Sequence, residues 1–265
     1  MANRKTNSKD ALARNLGLGA IAVVVLGIIL FPTIQDTFFA KPSSTATSDF
    51  NYDSGTLPKG VDANDLSYTI NPDAQTSDVL TIWEDPQCPA CASFEYYFGP
   101  SIKKFAEDGL VKVKYQAAGF LDQDPDTNPN GFTGHHSYRA INAWGCAIER
   151  GFGAEYHEAL FTRSFALLQG LITGRENYQE GDGFTDEDLV DFAGVAGYDE
   201  SKLAEFGQCV YTPDHLTWAR QSTLKFHDDQ IPGTPNVLLN GVEMPDSARQ
   251  SVEAFEKWIR DNVGK

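Results

Sequence analysis

Positive charge is scarce in this chain. Lys and Arg number 21 against 37 Asp and Glu, for a formal net charge of −16. That deficit excludes a nucleic-acid binder, which needs a basic footprint. A phosphate-cradling glycine loop and a nucleophilic-serine motif are both missing, which removes two common enzyme classes. No internal repeat runs through the chain. Cysteine is sparse too, with four residues; an even, small number fits disulfides in an oxidising compartment and equally fits one zinc site. What is present is enough for a core. Hydrophobic residues make up 41% and charged residues 22% of 265, near globular averages, so wholesale disorder is excluded.

The charge is unevenly spread. Residues 1–40 hold Arg4, Lys5, Lys9 and Arg14 against Asp10 and Asp36, a net of +2, which leaves −18 for the rest. Between the basic head and the acidic body, Asn15 to Gln35 is a 21-residue stretch without charge, close to the roughly 20 residues a spanning helix needs. Residues 1–14 therefore read as a cytoplasmic basic segment and 15–35 as a transmembrane anchor, with the body outside. A cleaved signal peptide is the rival reading, but its apolar core runs to about 7–15 residues, and Ala40 behind Phe38 and Phe39 is a poor cleavage site. Residues 36–62, rich in Ser, Thr, Pro and Gly, read as a linker.

Beyond residue 63 the pattern is α/β. Asp78 to Trp83 reads as a buried strand, Ala92 to Phe105 as a helix with a kink at Gly99-Pro100, and Val111 to Tyr115 as a half-exposed strand. Helical periodicity fills about 135–228, with breaks at Gly151, near 170–183 and at Pro213. Asn236 to Asn240 is a further strand ending in an Asn240-Gly241 turn. Ser247 can cap a last helix whose Val252, Phe255, Ile259 and Val263 share one face. Alternating strands and helices imply a layered α/β domain, and the long helical stretch an all-α subdomain inserted in it.

The strongest chemical signal is Cys88-Pro89-Ala90-Cys91, set where a strand feeds a helix. A helix N-terminus offers unpaired N–H groups and partial positive charge. That field favours a thiolate, the attacking species in disulfide exchange. The second thiol, one turn on, can resolve a mixed disulfide. A zinc knuckle is the alternative, but Cys146 and Cys209 lie 63 residues apart and make no second Cys-x-x-Cys. A purely structural Cys88–Cys91 bridge closes too small a loop to add much stability. Gly233-Thr234-Pro235, just before a strand, is a reasonable place for a cis bond.

Asp85-Pro86-Gln87-Cys88-Pro89-Ala90-Cys91, the helix opener His136 to Ala147, and Gly233-Thr234-Pro235-Asn236-Val237-Leu238-Leu239-Asn240-Gly241 together resemble the DsbA-like family of exported, membrane-anchored thiol–disulfide oxidoreductases. The resemblance covers about residues 65–263. It implies a thioredoxin-like fold with an inserted all-α subdomain over residues 63–265. By position it makes Cys88 the exposed nucleophile, Cys91 the buried resolving thiol, Pro235 a cis-proline and Thr234 its neighbour on a substrate-binding loop. It implies a structural disulfide between Cys146 and Cys209. It also implies disulfide donation to reduced exported client proteins, reoxidation by a membrane quinone-linked protein, and no cofactor. A reductase or isomerase at the same site, or a catalytically silent binding module of the same fold, are the alternatives.

Two departures stand out. The family often carries a buried acid six residues before the first cysteine, where this chain has Ile82. Glu84 and Asp85 are nearer, and are read either as pKa-tuning substitutes or, preferentially, as solvated loop charges. Ala90 stands where strongly oxidising members have His. His135 and His136 beside Asp122, Asp124 and Asp126 read as loop and helix-start residues and not as a metal site. His157, His215 and His227 read as surface or core residues, and Trp83, Trp144, Trp218 and Trp258 as core.

Overall fold

The computed structural model describes residues 50–172 and 183–265. The expected anchor at 15–35 lies outside them. Among the described residues no helix is long and apolar enough to cross a membrane.

Five strands form one mixed sheet: β1 (Tyr68–Thr69), β2 (Val79–Glu84), β3 (Lys112–Ala117), β4 (Asn236–Leu239) and β5 (Val242–Glu243), in the order β1-β3-β2-β4-β5. β2 is central, parallel to β3 and antiparallel to β4. Its apolar run therefore needs burial on both faces: Leu80 and Ile82 are fully buried on one, and Trp83 is buried on the other. The short pairings of β1 and β5 carry no apolar run of their own. The β4–β5 turn is built on Asn240 (φ 53°) and Gly241 (φ 80°), the left-handed pair that a two-residue hairpin requires.

Helix α1 (Pro89–Glu107) follows β2. It buries Cys91, Phe94, Phe98, Ile102 and Phe105 along one stripe. It runs as one helix through Gly99-Pro100. Pro100 is exposed, so the carbonyl it leaves without a partner can be hydrated. Helices α2 (His136–Glu149), α3 (Gly153–Ile172), α4 (Asp186–Val195), α5 (Leu203–Tyr211) and α6 (Leu216–Asp228) lie between β3 and β4. The last helix, α7 (Val252–Asn262), packs Phe255 against Phe94, Phe98 and Phe105 of α1. Its cap is Ser251, which accepts from the Ala254 N–H, and not Ser247. Ser247 instead lies in a 3-10 turn, Asp246–Arg249, that delays the helix by one turn.

The linker expected over 36–62 is folded from residue 50 onward. Phe50 stacks on His135 at 4.0 Å between ring centroids, and Tyr52 meets Tyr138 edge-on. Asp53 pairs with Arg220 at 2.9 Å, and the Thr217 N–H donates to the Ser54 carbonyl. Gly55 (φ +80°) passes so close to Asp214 that a Cβ would lie 1.8 Å from its carbonyl oxygen. The Ser, Thr and Gly here thus serve as backbone partners for the insert, which a composition-based reading takes for flexibility.

Candidate active site

Strand parity positions the chemistry. Trp83 meets Phe226 of α6 on one face of β2. Glu84, the next residue, therefore points to the other face, toward α1. Asp85-Pro86-Gln87 then turns the chain, and Cys88 becomes the N-cap of α1 (φ −71°, ψ 118°) with Pro89 at the first helical position, where its missing N–H costs nothing. The Thr234–Pro235 peptide bond is cis, and its loop faces this N-terminus. Cys88 Sγ donates to the Thr234 carbonyl at 3.5 Å.

Both thiols are free, and both are 0% exposed. This corrects the expectation of an exposed Cys88. Ala90, Phe120, Leu121, Phe132 and Phe161 pack around the pair, drawn from α1, the loop after β3, and α3. Burial opposes ionisation of Cys88, but interactions from the thiol and backbone N–H of Cys91 and from Thr234 outweigh it, so its pKa lies below the ordinary thiol value. Cys91 moves the other way: burial, then the neighbouring Cys88, then the charge of Glu84 raise it well above. The two thiols of one motif are thus made unequal.

Glu84 and Asp85 are 3% and 0% exposed. The preference for solvated loop charges is therefore wrong; the end of a central strand carries both into the interior. Glu84 Oε2 and His157 Nε2 share a hydrogen bond of 2.9 Å. Asp85 accepts from the Gln87 N–H at 2.8 Å, the Ser137 hydroxyl at 2.6 Å and the Leu121 N–H at 3.1 Å. Burial still pushes it up to about 7 against these three bonds. Gln87 completes the net, donating to Asp122 at 2.7 Å and Ser137 at 2.8 Å, so the motif's approach loop is tied to α2.

The remaining candidates sort clearly. Cys146 and Cys209 form a disulfide joining α2 to α5. Bonded to each other, they leave no four-thiolate zinc site with Cys88 and Cys91. Asp122 and Asp124 are buried and engage Gln87 and Tyr138. Sequence reasoning missed Glu95, whose carboxyl lies beside Glu84 under the thiols, and left His157 without a partner. Glu95 stands one turn after Cys91, an i, i+4 relation that was readable once the helix was assigned.

A mixed sheet, a dithiol at a helix N-terminus with unequal thiols, and a cis-Pro loop facing them define a thiol–disulfide oxidoreductase. The thioredoxin family model matches residues 71–261, and the chain belongs to that family. No curated protein matches the sequence. Among solved structures, the chain is similar to the MdbA protein of Actinomyces oris, a thiol-disulfide oxidoreductase. The TM-score is 0.63 at 20% identity, over 85% of this chain and 99% of that one. Reduced DsbA of Mycobacterium tuberculosis gives a TM-score of 0.53 at 23% identity, over 75% and 94%. Oxidised BdbD of Bacillus subtilis gives 0.56 at 16%, over 80% and 98%. These likenesses establish the shared fold.

Proposed function

We propose that the protein introduces disulfides into reduced exported proteins by exchange through Cys88 and Cys91. The observation that carries this reading is Cys88 at the N-cap of α1 with its sulfur against the Thr234–Pro235 loop. Cys88 is the nucleophile and Cys91 the resolving thiol; the low pKa of the first and the high pKa of the second suit those roles. Thr234 and Pro235 border the site for an extended client segment, and the Cys146–Cys209 bridge holds the insert together. In the oxidising direction a client thiolate attacks Cys88, and the Cys88–Cys91 bond breaks with its electron pair on Cys91. A second client thiol then releases Cys88 and takes the disulfide away. A membrane quinone-linked protein restores the Cys88–Cys91 bond. Residues 15–35 anchor the protein with the catalytic domain outside the cytoplasm; the uncharged stretch behind a basic head supports this.

Disulfide reduction or isomerisation is the second reading. Asp85 favours it, because its charge opposes the Cys88 thiolate, and so does Ala90 in place of a His. A redox titration against glutathione, read by the mass of alkylated thiols, separates the two. A Cys88–Cys91 midpoint above roughly −150 mV supports the oxidant, and one near about −270 mV the reductase. If the pair never cycles, both readings fail.

A further inference from the structure

The Cys146–Cys209 bridge has a third residue against it. His215, the N-cap of α6, brings in its imidazole, and one ligand-capable atom from each of the three lies within 4.8 Å of the others. All three residues are buried, His215 at 2% exposure. Its Nδ1 lies 2.9 Å from the Thr56 carbonyl oxygen, which can only accept, so Nδ1 carries the proton. The neutral ring then holds its lone pair on Nε2. That nitrogen is sealed from solvent, and no hydrogen bond reaches it among the described residues. Burying such an atom without a partner costs free energy. Glu149 Oε2 lies 3.6 Å from the same nitrogen. Glu149 stands three residues after Cys146 on α2, so the two share a face.

The backbone around these four is held in place. Asn142, one turn before Cys146, accepts from the His215 N–H at 2.8 Å and donates to the Val210 carbonyl at 3.3 Å. Gly145 lets the imidazole lie against α2, since a Cβ there would come within 2.9 Å of His215 Cβ and its ring. A histidine whose one ring N–H is fixed by a backbone carbonyl is oriented to ligate a metal through the other nitrogen.

Reducing the bridge changes the donor set. Two thiolates, one imidazole nitrogen and one carboxylate oxygen make a complete tetrahedral set for zinc. Bonds of about 2.0–2.3 Å then put the ligand atoms about 3.3–3.8 Å apart. The separation of His215 and Glu149 already falls in that range. We propose that the dithiol form of this chain binds one Zn2+ through Cys146, Cys209, His215 and Glu149, and that closing the bridge expels it. A dithiol reduces the bridge with two electrons, becomes a disulfide itself and leaves two thiols. Zinc displaces their two protons and stays divalent. On oxidation by a disulfide, the two thiolates give up two electrons and the S–S bond forms. The ion then keeps only a nitrogen and an oxygen ligand, and leaves. In a newly made chain the thiols precede the bridge, so zinc joins α2, α5 and the head of α6 before the disulfide does. Thiolate ligands select zinc over calcium or magnesium. The site uses no residue of the Cys88–Cys91 centre, so it stands whether or not the exchange reading does.

The test is zinc binding by the full chain carrying Cys88→Ser and Cys91→Ser, which takes the other thiol pair out of competition. Reduced with a phosphine and freed of excess metal by gel filtration, this chain should retain one zinc by elemental analysis. Its disulfide form should retain none, and oxidised glutathione should release the ion as the bridge closes. Glu149→Gln, at a partly exposed position, and His215→Ala should each weaken zinc binding at least tenfold, a loss that removing an outer-shell partner alone can reach. Cobalt in place of zinc needs no further variant: the reduced chain alone should show thiolate-to-cobalt charge transfer and tetrahedral d–d bands. A reduced chain that retains no metal overturns the proposal. So does one that unfolds despite zinc, because the ion should hold the insert as the bridge does. Zinc bound equally well by both variants, or cobalt without thiolate bands, overturns the four-ligand set.

Discussion

The sulfur of Cys88 lies 3.5 Å from the carbonyl oxygen of Thr234, across 146 residues of chain. The neutral thiol is the donor in that contact. Once the proton leaves, the carbonyl has nothing to accept, and the Thr234 hydroxyl becomes the useful neighbour. Its Oγ1 is buried and lies within reach of both thiols. Thr234 thus offers an acceptor to one protonation state of Cys88 and a donor to the other.

Thr234→Val keeps the shape and the carbonyl but removes that donor. A hydrogen bond to a charged group is worth about 1.5 kcal/mol or more. The Cys88 thiolate population at neutral pH should therefore fall on the order of tenfold. Alkylation rate against pH reads this directly; an unchanged profile would show that the hydroxyl plays no part.

Asp85→Asn should act on Cys88 in the opposite direction, lowering its pKa by removing an opposing charge. It also carries a stability signature. The folded pKa of Asp85, about 7, lies above its unfolded value. The folded state thus binds the extra proton, and the group's contribution to stability falls as pH rises from about 4 to about 7. The variant lacks this fall. Its urea midpoint relative to wild type should rise across that window, although the amide cannot accept all three hydrogen bonds and costs about 1–3 kcal/mol at low pH. A pH-independent difference would place the ordinary carboxylate pKa at this site.

Replacing both Cys146 and Cys209 by Ala should leave exchange at Cys88 and Cys91 intact while lowering stability. The bridge spans 63 residues, and closing a loop of that length is worth about 4 kcal/mol on chain-entropy grounds. Denaturant melts with parallel activity assays separate the two effects. Loss of activity in a variant that remains folded would assign the bridge more than a structural role.

The central strand, the Cys-x-x-Cys helix and β4 were legible because each is set by local pattern: a β-branched apolar run, a cysteine pair before a helical stripe, and an apolar run ending in an Asn-Gly turn. β1 and β5 were not, since two-residue strands owe their existence to a neighbour's edge. Residues 50–62 were misread because their composition suits both a flexible chain and a strap whose polar atoms are taken up by an insert 160 residues away. The buried acid was nearly legible. Ile82 and Glu84 differ by the strand period of two, so an acid at either position falls on the same face, and moving it two residues carries it toward the thiols. What the sequence could not reveal is that Glu95 and His157 meet it there, because that depends on how α1 and α3 pack.

The strap also determines where a mechanical load enters. A pull from the N-terminal side reaches the folded body at Phe50, Tyr52 and Asp53 and is borne by α2 and α6, whose side chains hold those residues. The strands beneath Cys88 stand outside that line of force.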